Sequence, residues 1–397
     1  MSSFSVGFLG CKVSHTDAQV IRERLLADGH AECSEDAEIA IINTCCVTRE
    51  AVRKSRHVVA RAARTHQRVF VTGCGANLSA EAFAGLPENV TVIRRRSEET
   101  PSAVAGAIGP IGCVQADARL DRVRAFVKIQ DGCSFSCNFC VIPLVRGASR
   151  SRSAPAVLGE IARRVSQGHR EVVLTGINLG CYRDREHGYR LPQLVREAGA
   201  IPGLARLRLS SIEVNHVDDE LVSALRDTPA VGKHLHVPLQ SGDDGVLQDM
   251  ARRYTANTYL RRVAHLQDDF NLTTDVIVGF PSEDETAFRR TLDVVGLAGV
   301  TKVHVFPYSP RPGTATEARD PVPARVKKDR SARLRSASHA ATVARWHAKV
   351  GEDDIVLVDR PGRGYGDDYS PWLVSAPVGA LVHVRAAGVT EEGILAA

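Results

Sequence analysis

Residues Gly132-Cys133-Ser134-Phe135-Ser136-Cys137-Asn138-Phe139-Cys140 place three cysteines on one short loop, with three residues and then two between them. Three thiolates held that close form a tripod. Cysteine thiolate is the usual ligand of a 4Fe–4S cluster, and three of them leave one iron without a protein ligand. An open coordination position is where a substrate binds at a catalytic metal. Structural zinc is the alternative. Zinc closes its tetrahedron with a fourth Cys or His, and the next His after Cys140 is His169.

The rest of the chain supplies the context. At 397 residues, with 44% hydrophobic and 24% charged residues, it has the size and composition of a globular protein of two or three domains. No run of about 18 apolar residues occurs, so no membrane span is expected. The first ten residues lack a basic start and a long apolar core, so no signal peptide is read and a cytoplasmic protein is expected. Ten cysteines in such a chain point to metal or redox chemistry rather than to a disulfide framework.

Upstream of the loop, short apolar runs alternate with helical stretches at 14–28 and 48–65. Ser5–Gly10 runs into Cys11, Ile39–Ile42 into Asn43-Thr44-Cys45, and Arg68–Gly73 into Cys74, and a further run follows at Val90–Ile93. The alternation predicts a doubly wound parallel sheet. Ligands of such sheets bind at the carboxyl ends of the strands. Cys11, Cys45 and Cys74 each follow one strand there, so the topology predicts a second cysteine tripod. Each cysteine taken alone reads as a small buried hydrophobe, and it is the three equivalent positions that point to a shared site. Cys33, Cys46, Cys113 and Cys181 have no such placement and are read as structural.

Downstream, Phe126–Ile129 leads into the loop. Five more strands are expected at Glu171–Thr175, Arg206–Ser210, His234–Pro238, Thr274–Val278 and Lys302–Phe306, with helices at 156–168, 218–226, 257–268 and 284–298. Six strand–helix repeats predict a partial parallel barrel with its function at the carboxyl ends of the strands. Those ends carry Thr175-Gly176-Ile177-Asn178, Ser210-Ser211-Ile212-Glu213, Leu239-Gln240-Ser241-Gly242, Gly279-Phe280-Pro281 and Pro307-Tyr308-Ser309-Pro310, which together read as a lined pocket.

Two basic features stand out. Arg146, Arg150 and Arg152 follow the cysteine loop and suit a phosphate backbone reaching the site. Between Pro323 and Val350, Arg325, Lys327, Lys328, Arg330, Arg333, Arg335, Arg345 and Lys349 stand against Asp329, a net +7 in a chain whose overall charge is +5. That segment is a candidate phosphate-facing surface, or else a solvated helix face. The chain then closes with short strands at Ile355–Val358, Trp372–Val374, Ala380–Val384 and Gly393–Leu395 around a turn at Arg363-Gly364-Tyr365-Gly366. They predict a small β-barrel. Tyr365 and Tyr369 suit either base stacking or the barrel interior.

These motifs carry a resemblance. The cysteine loop, with Phe139 before its last cysteine, resembles the radical S-adenosylmethionine (SAM) superfamily. Gly10-Cys11-Lys12-Val13, Asn43-Thr44-Cys45-Cys46-Val47-Thr48 and Gly73-Cys74-Gly75-Ala76 look like the N-terminal domain of its methylthiotransferases. Met250-Ala251-Arg252-Arg253-Tyr254 and Thr274–Pro281 are similar to the core of that family, and the C-terminal barrel to its RNA-binding TRAM domain. Departures are Asn77 where Gln is usual, Cys46, and Gly366 in place of Thr.

The resemblance implies an α/β chain in three parts. Residues 1–115 form the auxiliary-cluster domain, 116–347 the partial (β/α)6 radical SAM core with its basic helix, and 348–397 the TRAM-like barrel. It implies two 4Fe–4S clusters, one on Cys11, Cys45 and Cys74 and one on Cys133, Cys137 and Cys140, the latter triad catalytic. It places Gly176, Ser211, Gln240 and Arg252 near SAM. It implies tRNA, at its anticodon loop, as substrate, and an electron donor such as flavodoxin or ferredoxin; no sulfur donor is named by the residues. Gly-Cys-Lys-Val, Asn-Thr-Cys-x-Val-Thr and Gln130-Asp131-Gly132-Cys133 are most similar to the branch acting on carbon 2 of N6-threonylcarbamoyladenosine. The isopentenyladenosine branch, and a non-catalytic iron–sulfur RNA-binding protein, are the alternatives.

Overall fold

The computed structural model describes residues 3–33, 37–79, 81–109 and 123–397. Cys113 and the expected boundary at 115/116 lie outside the described residues. The chain divides into two compact units. One comprises the described residues of Met1–Arg119 with Asp131–Arg150 and Ser309–Arg319; the other comprises those of Leu120–Gln130 with Ser151–Tyr308 and Asp320–Ala397.

The first unit is built on a five-stranded parallel sheet, Ser3–Phe8, Ala31–Glu32, Ile39–Thr44, Arg68–Thr72 and Val90–Val92, in spatial order second, first, third, fourth, fifth. Side chains alternate across it. Phe4, Ile39, Ile41 and Phe70 pack on one face with Ile21 and Leu25 of helix Lys12–Ala27. Ala40, Ile42, Val69 and Val71 pack on the other with Val59 of helix Arg49–Ala62. Both faces are covered, as a doubly wound sheet requires.

The second unit holds six parallel strands: Arg124–Lys128, Glu171–Thr175, Arg206–Leu209, His234–His236, Asn271–Val278 and Val300–Pro307. They fall into two three-stranded sheets, bridged in parallel at Leu207–Val231 and Ser211–His236. Val127, Val172, Leu174, Leu207, Leu209, Val276 and Val278 join one core with apolar residues of the outer helices, among them Val157, Ile161, Leu221 and Phe288. This is the expected partial barrel. The structure adds a helix to those expected, Leu191–Gly199, whose buried Leu191, Leu194, Val195 and Ala198 have plain helical spacing.

The C-terminal segment is a closed five-stranded barrel, with a strand at Arg363–Tyr365 where the sequence suggests only a turn. Tyr365 and Tyr369 neither line its interior nor stand free for bases. They stack on each other at 4.8 Å, Tyr369 stacks on His234, and Arg124 and Arg208 lie over the rings. Arg206 pairs with Asp367, and Arg208 donates to the carbonyls of Gly366 and Asp367. Behind them Glu171 takes ion pairs from Arg208 at 3.0 Å and Arg206 at 3.2 Å. Burial alone would push the Glu171 carboxyl up; the arginines outweigh it and hold it below its ordinary value. These tyrosines fasten the barrel to the amino ends of the core strands.

The basic segment is the 25-residue helix Ala324–Ala348 with its C-terminal flank. Five of its eight cations are ion-paired within the protein, so only part of the segment remains as a candidate phosphate-facing surface. Lys327 pairs with Asp320, Arg330 with Glu283 at 2.7 Å, Arg333 with Glu285, Arg345 with Asp368, and Lys349 with Asp354 and Asp368. Arg325, Lys328 and Arg335 stay exposed. The Arg330–Glu283 pair is almost completely buried, with side chains 5% and 0% exposed. Breaking a buried pair costs about 3–5 kcal/mol, because the remaining charge is stranded. Arg330→Glu is therefore expected to lower Tm by on the order of 10 °C, while Lys328→Glu leaves it unchanged. Differential scanning calorimetry of the two variants checks this; equal melting would place Arg330 among the solvated residues.

Candidate iron–sulfur and SAM site

The three N-terminal cysteines follow strands whose ends are level. Phe8 is in register with Asn43, and Asn43 with Thr72. Cys45 follows its strand directly, Cys11 caps helix Lys12–Ala27, and Cys74 sits in helix Gly73–Leu78. Gly10 has φ +121°, and a Cβ there would lie 3.2 Å from Cys45 Sγ, so only glycine lets the Cys11 strand end approach Cys45 this closely. The charges on Cys11 and Cys74 both act on Cys45, whose thiol burial pushes up. The structure thus brings Cys11, Cys45 and Cys74 together, with Cys11 exposed and the other two buried.

Cys46 is fully buried beside them. Its hydrogen bond to Cys74 draws the Cys74 thiol below its ordinary value against burial, and the Arg146 guanidinium adds to the effect. Cys46 packs with Cys74, Val141, Val145 and Ile142 in a small apolar cluster. Cys33 is half-buried, and Cys181 lies 3.4 Å from His216 Nε2.

The second triad lies on an irregular loop of the same unit. Gly132 has φ +69°, and a Cβ there would come within 2.2 Å of the Ala148 carbonyl. The turn needs glycine on both counts. Cys133 N–H donates to Gly147 O at 3.0 Å and Cys140 N–H to Cys137 O at 3.0 Å. Thr316 braces the loop, its hydroxyl donating to Asn138 O at 3.0 Å. Cys133, Cys137 and Cys140 are all partly exposed, and Cys133 Sγ accepts from Phe135 N–H at 3.4 Å.

In the second unit, the residues expected near SAM lie after the carboxyl ends of the core strands. The Gly176 turn is pinned by the Gln130 side chain, whose Oε1 accepts from Ile177 and Asn178 N–H at 3.0 and 2.8 Å. Ser211 bridges to His236. Gln240 adopts φ +65°, an unfavourable state for a residue with a side chain, and its backbone is held by Asp275 O and Ile277 N–H. Such strain persists only where the surroundings impose it, and it gathers at functional sites. Arg252 pairs with Glu213 at 3.3 Å and packs over Tyr254.

The arginines after the cysteine loop are not a free basic patch. Arg150 pairs with Glu98, Arg152 with Glu160, and Arg146 is buried between Asp17 and Asp131. Sequence reasoning missed the part played by Arg146 and Gln130, whose partners lie far away along the chain.

Known proteins are similar to this chain. The Radical SAM superfamily matches residues 127–295, and an uncharacterized protein family, UPF0004, matches 3–94. The threonylcarbamoyladenosine tRNA methylthiotransferase MtaB of Thermotoga maritima is 32% identical over 100% of this chain and 96% of its own length. That of Chlamydia pneumoniae is 34% identical over 99% and 97%. The chain belongs to the radical SAM methylthiotransferase family. Among solved structures, the radical SAM methyltransferase TsrM of Kitasatospora setae shares the fold at TM-score 0.59 and 15% identity, over 80% of this chain and 77% of that one.

As a radical SAM methylthiotransferase the chain is a transferase whose cofactors are SAM and 4Fe–4S clusters. Its donor sets suit such clusters. Among the described residues no three His, Cys, Asp or Glu converge as a single ion would need. A cluster takes thiolates that each meet a different iron, and each triad carries three cysteine side chains. No helix among the described residues is long and apolar enough to cross a membrane.

Proposed function

We propose that this chain methylthiolates carbon 2 of N6-threonylcarbamoyladenosine, the base immediately 3′ of the anticodon in tRNA. The observation that carries the reading is the pair of cysteine triads in one compact unit, in a chain similar end to end to enzymes named for that reaction. Cys133, Cys137 and Cys140 would hold the radical cluster, and Cys11, Cys45 and Cys74 the auxiliary one. When bound, cluster and SAM supply the 5′-deoxyadenosyl radical that takes hydrogen from carbon 2, and the methylated sulfur that replaces it.

The protein's own part is positioning. Gly176, Ser211, Gln240 and Arg252 would line the SAM side; Gly176 leaves room for Gln130 and Leu179 to pack against its turn, and the strained Gln240 backbone is held in one conformation. The adenine must leave its stack to be reached, and an anticodon loop lets it do so at low cost. Arg325, Lys328 and Arg335 share one stripe of the long helix and would meet tRNA phosphates, with the TRAM-like barrel of 348–397 beside them in sequence. A cytoplasmic setting and a flavodoxin or ferredoxin as reductant complete the reading.

The test is nucleoside mass spectrometry of tRNA incubated with the reduced, reconstituted protein and SAM. The 2-methylthio derivative of threonylcarbamoyladenosine is expected. Product only on isopentenyladenosine tRNAs would move the chain to the other branch. Neither product nor 5′-deoxyadenosine would make it a binding protein.

A further inference from the structure

Arg146 closes the short helix Ile142–Arg146 after the radical-triad loop, and its side chain is 4% exposed. The guanidinium is used on three sides. Nε donates to Cys74 Sγ at 3.0 Å. Nη2 donates to Asp17 Oδ2 at 2.8 Å. Nη1 donates to Asp131 Oδ1 and Oδ2 at 3.0 and 3.2 Å. Asp131 is held in turn, by Ser97 Oγ and by the Gly132 N–H. The three partners come from the first helix, from a strand end of the sheet and from the residue preceding Gly132.

A purely structural arginine would be satisfied by its two carboxylates. Here the third donor is spent on sulfur, and on a sulfur of the N-terminal triad. Desolvating a guanidinium costs several kcal/mol, so a buried one needs charged or hydrogen-bonding partners. The planar fork fixes where Nε points once both Nη atoms are engaged. A donor aimed at a cluster-ligating sulfur withdraws electron density from it and stabilises the reduced cluster, which raises its potential.

We propose that Arg146 is a positioning residue that raises the reduction potential of the auxiliary cluster through its hydrogen bond to Cys74, from a scaffold set by Asp17 and Asp131. The proposal rests on the reading that Cys11, Cys45 and Cys74 hold that cluster. It also gives Arg146 a second consequence. The same side chain ties a ligand of one triad to the loop of the other, so the environment of the auxiliary cluster depends on the folding of the radical loop.

The test uses the full-length chain with Cys133, Cys137 and Cys140 changed to Ala, so that only the auxiliary cluster contributes. Arg146→Gln and Arg146→Lys are added to this parent, and iron content and an EPR-monitored redox titration are measured. Iron should be retained in both. In Arg146→Gln the reduced-to-oxidised ratio at a fixed potential should fall at least tenfold, a midpoint lower by about 59 mV for one electron. Arg146→Lys, which keeps the charge but not the fork, should fall less. Retained iron with unmoved potentials would make Arg146 a brace only and overturn the proposal. Iron lost from both variants but kept by the parent would overturn it too, as a folding role. A parent without iron would instead sink the auxiliary-cluster reading itself, and this proposal with it.

Discussion

Changing Cys133, Cys137 and Cys140 together to Ala should leave the reconstituted protein with about half its iron and no SAM cleavage. The three thiols are all the cysteine that the loop offers, and with them goes the open iron that SAM needs. The loop itself should survive. Gly132, the Cys133–Gly147 backbone hydrogen bond and Thr316 support it without a cysteine side chain, and the Phe135 N–H bond to Cys133 Sγ is lost. The N-terminal triad draws on other segments of the chain, so its iron should remain. Iron determination and chromatography of 5′-deoxyadenosine read both outcomes. Iron falling to zero would merge the triads into one site, and persisting cleavage would move the radical chemistry elsewhere.

Cys45→Ala should have the opposite split: SAM cleavage largely intact, and methylthio transfer abolished. Cys45 is buried at a strand end beside Gly10 and Ser55, and it belongs to the sheet rather than to the loop. Cysteine to alanine is a small change of volume at a site already closely packed, so the sheet should hold. What is lost is one thiolate of three. The measurement is 5′-deoxyadenosine against 2-methylthio nucleoside in the same reaction mixture. Full product formation by this variant would reduce the N-terminal triad to packing.

Both predictions come from features that the sequence displays locally. Strand and helix periods are short, so the sheet, the six-stranded core and the terminal barrel are legible in windows of about ten to twenty residues. A parallel sheet puts every carboxyl end on one edge, so strand order alone predicts a grouping of Cys11, Cys45 and Cys74. The loop triad is more direct still, because its three ligands are bound together by chain connectivity. Helix Leu191–Gly199 was equally legible, in the i, i+3, i+4, i+7 spacing of Leu191, Leu194, Val195 and Ala198.

The charges are a different matter. Arg146 reads the same in sequence whether it faces a phosphate or a buried carboxylate, and its partners are 129 and 72 residues away at Asp17 and Cys74. Lys327 and Arg330 count toward a net +7 helix, yet Asp320 and Glu283 neutralise them inside the fold. Tyr365 and Tyr369 fit an RNA-facing barrel by composition, and the structure spends them on Arg124, Arg208 and His234. By itself the sequence determined which strand ends and which loop carry the cysteines, because connectivity and a two- or 3.6-residue period act locally. Only the tertiary structure decided which cations remain for a partner and which are consumed within the protein, because an ion pair depends on distance in space and carries no period along the chain.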